Sequence, residues 1–309
     1  QAEDGIRDRR KSLVGSEMCI RDSAHAGRAA RMLPQIRSAL ELFARVDVLR
    51  TGAAGDALTM AADAGLEAYD GLLAAGGDGT LFEVLNGLYR QQPEQRIPLG
   101  LIPVGTGNAF ARDLGLMPGD WRQAVEIVRS AKRKRVDVGR VETREEGYYF
   151  LNIIGTGLPV DAMITAEKLK FVGQSAYTLA TLYHAMRLKS HRFAIEMDGE
   201  RLEQESMFVE VSNTRYTGTS FLIAPSAELD DGQFDVTLVK KLSRPRLLRL
   251  FPTIYKGGHV HYEEVLTRRA SVIRIDAPAG MVLAPDGELR GCTPVTIHCL
   301  HRDLEIFAP

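Results

Sequence analysis

The sequence predicts two domains: a doubly wound α/β domain followed by a mainly-β sandwich. Three observations carry this. Over residues 24–131, short apolar runs alternate with amphipathic helical stretches, the pattern of a parallel sheet covered by helices. Over residues 132–309 the texture changes to β-formers between turn residues. Two runs of the first domain, "LLAAGGDGT" and "IPLGLIPVGTGN", stop at glycine-rich hinges and restart as helices.

In order, apolar residues from Ala29 to Phe43 fall at helical spacing, and "RVDVLRT" is a short strand ending at Thr51. "GDALTMAADAGLEA" reads as a helix, "YDGLLAAG" as a buried strand and "LFEVLNGLYR" as a helix again. "IPLGLIPVG" and "NAFARDLGL" repeat that order, and "DWRQAVEIVRSA" closes the domain. Beyond it, "RVDVGRVE", "YYFLNIIG", "RFAIEMDG", "MFVEVSN", "FDVTLVK", "SVIRIDA" and "VTIHCL" read as strands, the last free to return to the first domain. "GQSAYTLATLYHAM" is the clearest helical insert, and "RPRLLRLFPTIY" is a second that Pro252 should end or kink. Residues 1–23 have no helical or strand period and are similar to peptides translated from sequencing-adapter DNA. They are expected to be a non-native or disordered segment outside the fold, with Arg9, Arg10 and Lys11 a solvated tail.

The 309-residue chain is 45 % hydrophobic with a formal net charge of -1, which argues against a nucleic-acid binder. No apolar stretch approaches the roughly 18 residues that span a bilayer. Cys19, Cys292 and Cys299 form no disulfide framework and suit a reducing, cytoplasmic compartment.

A strand that ends at Gly76 and Gly77 and restarts as a helix through Asp78, Gly79 and Thr80 exposes main-chain N–H groups where the helix dipole favours anions. The cluster reads as a phosphate cradle; a tight turn with a capping Asp or Thr explains it equally. Gly105, Thr106, Gly107 and Asn108 occupy the same position after the next strand. Two such hinges on adjacent strands point to a nucleotide at the carboxyl edge of the sheet. Neither is a Walker A loop or a dinucleotide fingerprint.

"GGDGTLFEVLNGL", "PVGTGNAFARDLGL", "KRVDVGRV", "FLNIIGTGLPVDA", "APSAELDDGQFDV" and "APDGELRG" together resemble the soluble lipid kinases that include bacterial diacylglycerol kinases and the sphingosine and ceramide kinases. The resemblance runs from about Gly27 to the C-terminus. It implies an ATP- and Mg²⁺-dependent kinase that phosphorylates a lipid hydroxyl at the membrane surface, with diacylglycerol the first candidate acceptor and a sphingoid base the second. It implies ATP contacts from Gly27, Thr51, Gly76, Gly77, Asp78, Gly79, Thr80, Leu81, Phe82, Glu83, Gly105, Thr106 and Asn108. Asp78 and Asp137 would organise Mg²⁺ near the phosphates, and Asp231 would give its carboxylate to a second, structural Mg²⁺, with main-chain carbonyls from Glu228 and Gln233. In "APDGELRG", Asp286 is taken as the base and Glu288 as its orienting or metal-linked neighbour, with the reverse assignment open. An Asp-Gly hairpin is the plain alternative. A homodimer stays open.

The chain departs from the family pattern in two places. Ala109 stands where bacterial diacylglycerol kinases usually carry Asp, and "DSAHAG" keeps only the glycine of an Asn-Pro-X-X-Gly loop, which implies weakened ATP binding. An NAD kinase-like enzyme and a non-catalytic lipid- or nucleotide-binding protein are the rival readings. Ala176, Leu179, Ala180 and Tyr183 share a helical face before Arg187, Lys189, His191 and Arg192; an acyl cleft with a basic rim and an ordinary core helix both fit. The run Lys132 to Arg135 is read as the end of a helix. "HRDL" at His301 is taken as chance, and His259 and His261, spaced to share a strand face, as surface or core residues rather than metal ligands.

Overall fold

The computed structural model describes residues 16–21, 28–105, 108–168, 176–187, 189–218, 220–278 and 280–309. The chain divides into one unit of Gln1–Arg135 with Leu304–Pro309 and a second of Val136–Asp303.

The first unit runs β1 (Ser16–Arg21), α1 (Arg28–Leu40), β2 (Val46–Thr51), α2 (Asp56–Asp63), β3 (Gly71–Gly76), α3 (Asp78–Leu88), β4 (Leu99–Pro103), α4 (Ala109–Asp113) and α5 (Trp121–Ser130). Its strands pair in parallel in the order β2, β1, β3, β4. Every residue of β3 is buried, as a strand covered by helices on both faces requires, which is why "GLLAAG" shows no polar alternation. Helix α1 packs with α5, and α2 with α3. The chain's last residues return here: Ile306 pairs with Leu99, and a Cβ on Gly71 would lie 2.6 Å from the Phe307 ring.

One expectation is corrected. Residues 16–21, read as lying outside the fold, form β1, whose main chain pairs with Val46–Thr51 on one side and Gly71–Ala75 on the other. Ladder hydrogen bonds use only the backbone, so they answer the open edges of β2 and β3 whatever the side chains are. The rest of residues 1–23 lies outside the described residues, as do Gly27, Thr106 and Gly107.

The second unit takes up β5 (Arg133–Glu142) and continues with β6 (Gly147–Phe150), β7 (Ile153–Gly157), α6 (Leu158–Lys168), α7 (Ala176–Met186), β8 (His191–Met197), β9 (Glu200–Ser212), β10 (Tyr216–Thr217) and β11 (Phe221–Leu222). It ends with β12 (Phe234–Lys240), α8 (Arg244–Leu250), β13 (Val265–Ala270), β14 (Val272–Asp276), β15 (Leu283–Pro285) and β16 (Val295–Phe307). The long strand β9 is the hub: residues 200–206 pair with β8, and residues 208–212 lie between β7 and β12. Beyond β7 comes β15, which carries the "APDG" turn. Under α8, Phe208, Phe221, Val239, Leu247, Leu250 and Ile254 form one apolar cluster.

Three local readings change. Lys132–Arg135 does not end a helix, because α5 stops at Ser130; residues 133–135 open β5, and Arg133 and Arg135 both pair with Glu305. Helix α6 was not foreseen: "LPVDAMITAEK" follows a β-type run and opens with Pro159, which suits the first turn of a helix. His259 and His261 sit on a 3-10 turn, Gly258–His261, rather than a strand; His259 is fully buried with its Nε2 2.9 Å from the Ile223 carbonyl oxygen. Among the described residues, no helix is long and apolar enough to cross a membrane.

Candidate active site

The carboxyl ends of β2, β3 and β4 share one edge of the parallel sheet, and they carry Thr51, the Gly76–Asp78 hinge and Gly105. Thr51 is buried; the loop after it gives its Gly52 and Ala53 N–H groups to the Asp56 carboxylate, at 2.8 Å each.

At the first hinge β3 stops at Gly76 and α3 begins at Asp78. The N-cap residue, Gly77, has no side chain with which to cap the helix, so the first N–H groups are left without a side-chain cap from that position. Gly77, Asp78 and Gly79 are partly exposed, whereas every residue from Thr80 to Leu88 is buried. Thr80, Leu81 and Phe82, expected at the nucleotide, are therefore core residues of α3. Thr80 has a further task, because its side chain fills the place a Cβ on Gly76 would need, with Oγ1 only 2.3 Å away.

The second hinge touches the first. A Cβ on Gly105 would fall 2.4 Å from the Gly77 Cα, and the Gly105 N–H donates to the Gly76 carbonyl at 3.0 Å. Close approach of two main chains, as much as access for phosphate, explains glycine at 77 and 105. The helix after this hinge is capped from across the gap: Asp78 Oδ2 accepts the Ala109 N–H at 3.1 Å. Asn108, fully buried and left-handed at φ 48°, donates its amide to the Gly105 carbonyl at 2.7 Å. The two expected phosphate hinges are thus unequal. The first keeps its helix N-terminus open, and the second has its own answered by Asp78.

Asp78 is the electrostatic centre of this edge. Burial pushes its carboxyl up to about 6, against the pull of main-chain donors at Ala109, Phe110 and Asn108 and the charge of Arg112. Its Oδ1 is buried with no hydrogen-bond partner among the described residues.

The second unit treats its acids in the opposite way. Asp137, expected near phosphates, is fully buried on β5 with both oxygens engaged. Oδ2 accepts the Gly232 N–H at 2.6 Å; Oδ1 accepts the Arg302 N–H at 2.7 Å and lies 3.0 Å from His301 Nδ1. Its own N–H donates to the Leu229 carbonyl, and Asn213 donates to the Asp137 and Leu151 carbonyls. Asp137 ties β5 to β16 and the "ELDDG" loop. The sequence reading passed over His301, Arg302 and Asn213; "HRDL" gave a false kinase echo, and nothing in its spacing marks a partner 164 residues away.

Asp231 also differs from expectation as a metal ligand. Its Oδ1 accepts the Gln233 N–H at 3.0 Å, and Oδ2 is paired with Arg269. A guanidinium already answers that carboxylate, which leaves it less suited to a structural Mg²⁺. Among the described residues there is no group of three or more His, Cys, Asp or Glu that could hold a metal ion.

At the end of β15, Asp286 is buried with φ 46°, followed by Gly287 at φ 87°. Its carboxylate accepts three consecutive main-chain N–H groups, from Leu151 at 2.9 Å, Asn152 at 2.8 Å and Ile153 at 2.9 Å. Its own N–H donates to the Ile153 carbonyl at 2.8 Å. These bonds fix a left-handed turn that a non-glycine residue rarely adopts. Glu288, two residues on, is only partly buried, and its N–H donates to the Pro285 carbonyl at 2.7 Å.

Comparisons with known proteins place both units in one family. Residues 20–141 match the diacylglycerol kinase catalytic domain, and residues 152–308 match the YegS C-terminal NAD kinase beta sandwich-like domain. A diacylglycerol kinase of Bacillus subtilis is 34% identical over 261 residues, 84% of either chain. One from Mycobacterium tuberculosis is 33% identical over 270 residues, 85% of either chain. The crystal structure of a diacylglycerol kinase from Bacillus anthracis aligns with TM-score 0.77 at 26% identity, covering 96% of this chain and 98% of the other. A second structure from that strain reaches 0.82 at 28% identity over 96% of both chains. With an α/β unit open at its first glycine hinge and a β-sandwich-like unit carrying the Asp-Gly-Glu turn, the chain belongs to the diacylglycerol kinase family of lipid kinases.

Proposed function

We propose that the chain transfers the γ-phosphoryl group of ATP to the hydroxyl of diacylglycerol, with Glu288 as the general base and Asp286 as its positioning residue. The observation that carries this assignment is the set of three main-chain N–H groups on Asp286. A carboxylate so engaged is a fixed acceptor that holds a turn; it is badly placed to swing toward a substrate hydroxyl. The partly exposed carboxylate two residues away is the better proton acceptor. This reverses the first assignment made from sequence.

In the first unit, the uncapped N–H groups at Gly77 to Gly79 suit the ATP phosphates. The buried, unpartnered Oδ1 of Asp78 suits a hydrated Mg²⁺, an ion that uses one or two carboxylates and keeps several waters. Mg²⁺ there would offset charge on the transferring phosphoryl group. Ala109 leaves Asp78 without a second acid beside it. The relatives are named for diacylglycerol, which ranks that acceptor above a sphingoid base.

The test is transfer of labelled γ-phosphate from Mg-ATP into diacylglycerol and sphingosine in mixed micelles, with Glu288→Gln alongside. Transfer into diacylglycerol that disappears in the variant is the expected result. Full activity in Glu288→Gln would overturn the assignment of the base, and no transfer to either lipid would overturn the acceptor class.

A further inference from the structure

The hairpin that carries the Asp-Gly-Glu turn is tied down on both sides of Glu288. Before it, Asp286 accepts the N–H groups of Leu151, Asn152 and Ile153. After it, the Arg290 guanidinium brings Nε and Nη2 to one oxygen of Glu146, Oε2, at 2.8 Å each. Both ties end on one stretch of chain, residues 146–153, which runs through β6 into β7. The far end of the second tie is itself held. Glu146 closes a turn in which the Thr143 N–H and hydroxyl both donate to the Glu146 carbonyl, at 2.9 and 3.0 Å, while Thr143 Oγ1 accepts the Glu146 N–H at 3.1 Å. Beside it, buried Tyr148 donates its hydroxyl to the Arg290 carbonyl at 2.9 Å, and its ring lies 5.5 Å from the guanidinium. Gly291 completes the fit. At φ 70°, a Cβ there would lie 3.0 Å from Thr143 Cγ2 and 3.4 Å from the Tyr148 ring, so a side chain would crowd the hairpin's returning arm off this turn.

The side chains of Arg290 and Glu146 are 35% and 32% exposed, and an ion pair that open to water contributes little to folding. What it does fix is a place. A general base has to be held within about 0.5 Å of its productive position, and a misplacement of about 1 Å can cost about 10²-fold in rate. A turn pinned only at Asp286 is free to swing about that point and carry Glu288 with it. A second pin on the other side of the base removes the swing.

We propose that Arg290, held by Glu146 and Tyr148, is a second positioning residue for Glu288, the counterpart of Asp286 across the turn. The inference rests on the reading of Glu288 as the base, and its test separates the two. Transfer of labelled γ-phosphate from Mg-ATP to diacylglycerol is measured for the full chain, for Glu146→Gln, for Arg290→Gln, for both together, and for the exchanged pair Glu146→Arg with Arg290→Glu. Each single change should lower kcat by about tenfold, with KM for ATP and for diacylglycerol within about twofold of the parent. The double variant should be no slower than the slower single, and the exchanged pair should recover most of the loss. Without any ligand, amide hydrogen exchange over residues 283–291 should quicken in the slowed variants. Arg201→Gln, which breaks an exposed pair with Glu203 at 3.1 Å on β9, should change neither rate nor exchange. Melting temperatures confirm folding, and the single and double variants carry the test if the exchanged pair fails to fold. Unchanged kcat in both single variants, losses that add in the double variant, or a loss carried by KM alone would overturn the proposal while the base stands. Full activity in Glu288→Gln would overturn the base, and this proposal with it. A parent that transfers to neither lipid would end both readings.

Discussion

Two of the turns in this protein that set an aspartate beside glycine use it in contrary ways. At the Gly77–Gly79 hinge, Asp78 caps a neighbouring helix with one oxygen, and its other oxygen is buried with no hydrogen-bond partner among the described residues. At the Pro285–Glu288 turn, Asp286 accepts three main-chain N–H groups. Short motifs that look alike as strings therefore differ in what they leave over. A carboxylate whose two oxygens are both held by donors builds structure, and one with an oxygen left over can answer a ligand.

The sharpest break of that contrast is at the base. Glu288→Gln should lower kcat by about 10²–10⁴-fold, the range for loss of a general base, with the melting temperature unmoved. Next comes stability. Asp137→Ala strands the Gly232 and Arg302 N–H groups and should cost about 3–5 kcal/mol in denaturant unfolding, since each buried unsatisfied donor costs about 1–3 kcal/mol. A variant as stable as the parent would show that water or a neighbour replaces the carboxylate. Asp286→Asn should fall between the two, with lower kcat and lower stability together, because it loosens the turn that aims Glu288.

Smaller is the effect of separating the two glycine loops. Gly105→Ala drives a methyl into the Gly77 main chain, and overpacking of this kind costs about 1–3 kcal/mol. ATP affinity, read by calorimetry, should fall while binding of lipid vesicles does not.

The last expected effect vanishes toward acid pH. Asp78 is raised from 3.8 to about 6 by burial, so the folded state holds its proton more tightly than the unfolded chain does. The stability it contributes is complete below about pH 4 and is lost as pH rises through about 6. Asp78→Asn should therefore be more stable than the parent by about 3 kcal/mol at pH 8, with no gain at pH 4. An advantage that stays constant with pH would mean the carboxyl is solvated, and with it the account of its unpartnered oxygen would fail.

Much of this was legible in the sequence. The six buried residues of β3 and the turn chemistry of the hinges are local signals, carried by neighbours in the chain. What was not legible is pairing across distance. Nothing near Asp137 announces His301, and nothing near Asp286 announces the N–H groups of Leu151 to Ile153. Main-chain donors carry no side-chain signature, so the structural bonds of these two acids could not be read from their motifs. The burial of Thr80, Leu81 and Phe82 was hidden for a related reason: a motif marks a stretch, and helix periodicity decides which of its residues turn inward.

The strand Ser16–Arg21 has a consequence for engineering. It is held by backbone ladders to Val46–Thr51 and to Gly71–Ala75, so the position acts as a socket for an extended peptide more than as a fit for one sequence. Because this strand lies inside the sheet and packs against α1, α2 and α3, any replacement would have to keep its length and register, and the sheet behind would serve as the frame for judging each.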